Sequence, residues 1–109
     1  MKFQVKLTEE AEKFIDSLPN KMQSKIKRST DLLREFGYTL TEPHSKKLKS
    51  VEHLHELRVK VGSDICRLFY FFWKDKIYVV TSGYMKKTNK TDVNQIDRAV
   101  KIMNEIKEG

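Results

Sequence analysis

The sequence predicts an α+β domain in the order strand, helix, helix, three strands, helix, with helices packed on a mostly antiparallel sheet. Three observations predict it. Residues 3–7 alternate apolar with polar, the period of a half-buried strand. Residues 57–84 hold three strand-like runs separated only by turn signals, which reads as a meander. Three amphipathic stretches at helical spacing flank those runs. A chain of 109 residues is long enough for one core and too short for two, so residues 1–109 are expected to form a single domain.

In chain order, Phe3, Val5 and Leu7 give the first strand its buried face, and Lys2, Gln4 and Lys6 give it a basic one. Thr8 is placed to cap the first helix. Glu9 and Glu10 follow in its first turn, where the helix dipole favours acids. Ala11, Phe14, Ile15 and Leu18 then form its apolar stripe. Pro19 ends that helix and opens the next, whose stripe is Met22, Ile26, Leu33 and Phe36, with Gly37 as its stop. Two helices joined so tightly predict a hairpin on one sheet face. From Tyr38 to Val51 the periodicity vanishes, and an exposed basic loop is expected, carrying His44, Lys46, Lys47 and Lys49. Leu57, Val59 and Val61 alternate with Glu56, Arg58 and Lys60. Gly62-Ser63-Asp64 turns the chain into the run from Ile65 to Trp73, and Lys74-Asp75-Lys76 turns it again into the strand from Ile77 to Tyr84. Thr91 is expected to cap a last helix striped by Val93, Ile96, Val100 and Met103.

The run Cys66-Arg67-Leu68-Phe69-Tyr70-Phe71-Phe72-Trp73 is apolar almost throughout, so it is the strand covered on both faces. Arg67 breaks the pattern. A guanidinium sealed in a core without a partner is costly, which predicts that the strand's beginning emerges at a wet concavity facing an anion. Strand pairing brings Arg58, Arg67 and the Lys86-Lys87 segment to one spot, suited to phosphate oxygens. Tyr84 beside them is placed to stack on a base. The alternative is that Arg58 pairs with Glu56 and the lysines form a solvated rim.

The formal net charge of +7 favours a polyanionic or acidic partner. One cysteine, Cys66, excludes an internal disulfide, fits a reducing compartment, and reads as a small core hydrophobe. The N-terminal alternation lacks the apolar core of a signal peptide, and no run is long enough to span a bilayer, so a cytoplasmic protein without membrane contact is expected. His53 and His55 share one face if both lie on a strand, but no Cys or acid cluster accompanies them, so neither metal nor other cofactor is expected. Their titration near neutrality suits proton transfer instead. Glycine-rich phosphate loops, nucleophile elbows and dinucleotide fingerprints are all missing.

His55-Glu56-Leu57-Arg58, then Cys66-Arg67-Leu68-Phe69-Tyr70-Phe71-Phe72, then Gly83-Tyr84-Met85-Lys86-Lys87-Thr88 resemble the HigB-type branch of the RelE toxin superfamily, whose members are often described as phage-derived host-inhibition proteins. The resemblance covers nearly the whole chain. It implies a RelE-like fold and an mRNA endonuclease acting on ribosome-bound message. It also implies a cognate antitoxin, a small helix-turn-helix protein, that neutralises it. On the matching positions, Arg67 is the strand arginine that contacts the scissile phosphate, with Arg58 on the strand before it and Lys86 and Lys87 after the last strand. The chain departs from the family pattern in lacking a tyrosine or arginine beyond the last helix, and Asp92 stands where relatives commonly have Pro. The general base then falls among His53, His55, Glu56 and the lysines.

The expected catalytic set is Arg67, Arg58, Lys86 and His55. RNA contacts are expected from Lys87, Tyr84, Lys47, Lys90 and His53. RNA carries its own nucleophile, the 2′-OH, so the protein need only orient it, move protons and stabilise charge on phosphorus. The products would be a 2′,3′-cyclic phosphate and a free 5′-OH, made without metal. Rival readings are a ParE-like gyrase-inhibiting toxin, a module that binds nucleic acid or antitoxin without cutting, and an inactive phage remnant.

Overall fold

The computed structural model describes residues 2–86 and 90–109. The strands are β1 (Gln4–Leu7), β2 (Ser45–Lys47), β3 (His55–Val61), β4 (Asp64–Lys74) and β5 (Ile77–Lys86), and the helices are α1 (Glu9–Asp16), α2 (Asn20–Phe36) and α3 (Val93–Glu108). They form one sheet in the order β1-β5-β4-β3-β2. The predicted α+β architecture is present: β2, β3, β4 and β5 pair antiparallel, and β1 joins β5 in parallel.

The sheet is covered on both faces, which is why β4 is apolar from Leu68 to Trp73. On one face Ala11, Ile15, Met22, Ile26 and Leu33 of the helical hairpin pack on Leu57, Val59, Cys66, Leu68, Tyr70, Tyr78 and Val80. On the other, Ile96, Ala99 and Met103 of α3 pack on Phe69, Phe71 and Val79, joined by Leu48 and Leu54.

The turns obey local chemistry. Lys74 pairs with Ile77, leaving a two-residue turn. Its Asp75 and Lys76 both have positive φ (50° and 62°), as the tight hairpin turn that matches strand twist requires. Gly37 ends α2 at φ 54°, and a Cβ there would lie 2.2 Å from the Phe3 ring, so only glycine allows that close approach.

Three expectations need correction. The segment after α2 is not wholly loop: Ser45–Lys47 adds a short edge strand to β3, and Leu48 is buried. Three residues are too few to show a period. Thr91 is not the cap of α3; Asp92 is, its side chain accepting from Asn94 N at 2.9 Å. His53 lies before β3 with φ 70°, so it does not share a strand face with His55.

Candidate nucleic-acid interface

Strand register assembles the site. Arg58 stands opposite Arg67, and Arg67 opposite Tyr84. One row back, Glu56 faces Phe69 and Phe69 faces Ser82; one row forward, Lys60 faces Ile65 and Ile65 faces Lys86. Period-two alternation puts these rows on the α3 face. Two arginines directly opposite each other repel. Glu56 answers both: Arg67 Nη1 donates to its Oε1, and Arg58 Nε lies 3.6 Å from the same oxygen. Thr91 Oγ1 donates to the other carboxylate oxygen at 3.0 Å, tying the approach to α3 onto the cluster.

Burial grades these groups. Glu56 is fully closed to solvent and Arg67 is 1% exposed, whereas the Arg58 side chain is 31% exposed. Arg67 therefore does not emerge at a wet concavity as the sequence suggested. An internal carboxylate resolves its burial cost. Lys86 is also buried, and its Nζ has no hydrogen-bond partner among the described residues. Burial lowers the Lys86 pKa, Arg67 and Arg58 lower it further, and Glu56 and Asp92 pull the other way. Three cations thus surround one buried carboxylate.

Tyr84 stacks on Phe69 with centroids 5.8 Å apart, and its hydroxyl accepts from Asp92 N at 2.9 Å. One ring face is committed to the core, which weakens the expected role in base stacking. Lys90 is exposed at the start of the α3 approach. Lys87 lies outside the described residues.

His55 belongs elsewhere. It faces the helical-hairpin side, stacked on Tyr70 at 5.2 Å, with Lys47 as its register partner. The sheet separates it from Arg58 and Arg67, so it is not part of their site. His53 and Lys47 are exposed near His55, also apart from the arginines. Burial first, then Lys47 and His53, lower the His55 pKa. Cys66 is a core residue, as expected, and burial pushes its thiol up to about 12.

β2 pairs only with the first three residues of β3, leaving the later part of β3 bordering an open cleft of about 480 Å³. Lys25 and Arg28 of α2 line it with His44, Arg58 and Lys60. The sequence alone does not bring Lys25 and Arg28 to this edge, because the crossing of α2 over β3 is a tertiary fact. The arrangement offers an anion a basic track at the β3 edge, bordered by Arg58. Among the described residues no three His, Cys, Asp or Glu stand together as a metal site, and no helix is long and apolar enough to cross a membrane.

Comparison with known proteins agrees with this architecture. The free double mutant of E. coli RelE toxin superposes with a TM-score of 0.68 at 20% identity, covering 93% of this chain and 97% of that one. The isolated E. coli RelE toxin gives 0.60 at 20% identity, covering 93% and 98%. RelE of the archaeal RelE–RelB complex from Pyrococcus horikoshii OT3 gives 0.58 at 22% identity, covering 83% and 100%. These likenesses establish the RelE fold. No curated protein sequence matches the chain. The sequence profile described as phage derived protein Gp49-like (DUF891) matches residues 13–104, and the chain belongs to that family.

Proposed function

We propose that this chain is the toxin of a type II toxin–antitoxin pair, of the HigB type, and that it cuts mRNA on translating ribosomes without a metal ion. The observation that carries the reading is the position of Arg58. Its Nε is held 3.6 Å from the buried Glu56, its side chain is 31% exposed, and the residue borders a cleft shared with Lys25, Arg28 and Lys60. A partly exposed guanidinium held by a buried carboxylate is pre-organised for a phosphate. RelE toxins share the fold, and two such structures are complexes with RelB.

The chemistry needs little from the protein. The ribose 2′-oxygen attacks phosphorus as its proton passes to solvent water, and the bond to the 5′-oxygen breaks as that oxygen takes a proton from water. A cyclic phosphate and a 5′-OH result. Arg58 neutralises the non-bridging oxygens. Arg67 acts through Glu56 as a positioning residue for Arg58. Lys86 Nζ is closed to solvent, so it stabilises the added negative charge through its field rather than by contact. An acidic segment of the antitoxin, a small helix-turn-helix protein of the same cytoplasm, covers the basic cleft and occupies the phosphate position.

The test is inducible expression with primer extension on a reporter transcript, together with cleavage by purified protein on programmed ribosomes in EDTA. We expect cuts within the message and their loss in Arg58→Ala. Intact mRNA alongside damaged DNA overturns this reading in favour of a gyrase poison.

A further inference from the structure

The opposite face of the sheet carries a second concavity. Phe3, Tyr38, Leu40, His55, Tyr70, Phe72 and Tyr78 line a pocket of about 370 Å³. Its walls are rings set edge to face: Phe3 meets Tyr38 at 6.2 Å and Tyr78 at 5.4 Å, and Phe72 meets Tyr78 at 5.1 Å. Two of these rings are turned out to solvent, Tyr38 at 83% exposure and Phe72 at 46%. The backbone is built for this. Gly37 lets the chain press onto Phe3, which sets Tyr38 at the mouth. Tyr38, Leu40 and His55 also border an adjoining shallow cleft rimmed by Lys46, Lys47 and Lys49, with Glu42 as its acid.

We propose that this pocket is a base-binding site for single-stranded RNA, separate from the arginine site. A base stacks on the exposed aromatic faces, as sequence-tolerant single-strand sites do. Lys46, Lys47 and Lys49 hold the neighbouring phosphates, their three charges outweighing Glu42. Neutral His55 at the pocket wall offers a ring nitrogen to a base edge. An aliphatic side chain of a protein partner has no use for that polar group, which favours RNA over a docked peptide. The inference rests on RNA being this protein's ligand and not on the chain cutting it.

The experiment is fluorescence anisotropy with a labelled oligoribonucleotide of about ten residues and with the same backbone lacking bases. It compares the intact protein with Tyr38→Ala, Phe72→Leu and Lys47→Glu. Tyr38 is too exposed for its loss to unfold the chain, and Phe72→Leu keeps an apolar group in place. We expect Tyr38→Ala and Phe72→Leu to weaken the base-containing strand about five- to tenfold each. The abasic strand should bind all but Lys47→Glu equally. Repeating the series in Arg58→Ala should preserve the ratios, so failure of the cleavage reading and of this one are separable. Unchanged affinity in both ring variants, or equal binding of the two strands by the intact protein, overturns the proposal, even if an acidic peptide binds the same pocket.

Discussion

The guanidinium of Arg67 and the carboxylate of Glu56 form an ion pair across β3 and β4 that is closed to water on both sides. Such a pair is costly to bury and costlier to break. Glu56→Ala is expected to lower stability by about 3–5 kcal/mol, because it leaves a guanidinium in the interior without that carboxylate. Glu56→Leu combined with Arg67→Met should recover part of that loss, the remainder reflecting Arg58 and Lys86, which also lose the carboxylate. Urea denaturation of the three proteins checks this; equal destabilisation in the single and double variants would show that the pair contributes no coupling.

Arg58 and Lys86 carry the functional burden in the proposed reaction. Arg58→Ala should slow cleavage by roughly 10²–10³-fold while lowering the denaturation midpoint only modestly, since Glu56 keeps its pair with Arg67. Lys86 titrates below the ordinary lysine value of 10.5, chiefly through burial. Cleavage should therefore fall off on an alkaline limb that begins below that value. Lys86→Arg keeps the charge and removes the titration, so the limb should move upward. A rate profile that is the same for both proteins argues against Lys86 as the source of that limb.

His55 gives stability a slope with pH. Burial, then Lys47 and His53, hold its folded pKa below the ordinary 6.5. The unfolded chain binds the extra proton first as pH falls. The contribution is fully present above 6.5 and is lost as pH drops from there through the folded value. His55→Gln should flatten that slope. Thermal melts between pH 7 and 5 decide it, and an unchanged slope would place the acid sensitivity elsewhere.

Cys66 should be inert in the native protein. It is fully buried and its thiol is pushed up to about 12. Iodoacetamide at pH 8 should leave it unmodified until denaturant is added, with labelling that tracks global unfolding by mass spectrometry. Fast labelling of the native protein would mean that β3 or β5 opens locally beside it.

Much of this architecture was legible in the sequence. Alternation in Phe3–Leu7 and Glu56–Val61, helical spacing from Ala11 to Leu33, and glycine at the turns all carry local physics, and each element formed where that physics put it. The parallel seat of β1 beside β5 was not legible, because nothing local in Gln4–Leu7 names a partner. Arg67 was read as a signal of function, and as a lone charge in an apolar run it was rightly singled out. Its direction depended on Glu56, whose place beside it comes from the β3–β4 register. His55 and Arg58 lie three residues apart, an odd separation that puts them on opposite faces of a strand. That period-two rule could have removed His55 from the arginine site before any coordinates were seen.

The parallel seat of β1 also bears on how the chain is born. Thr8 donates to the carbonyl of Thr81 at 2.6 Å, across 73 residues of sequence. During synthesis the first strand thus waits for the last one to leave the ribosome. The hairpins of β3, β4 and β5 can close early, being local, while β5 keeps a bare edge until β1 arrives. A nascent chain stalled before α3 also leaves Phe69 and Phe71 uncovered. Completion of this protein is a single late event, and interrupted chains are the ones that chaperones and proteases will meet.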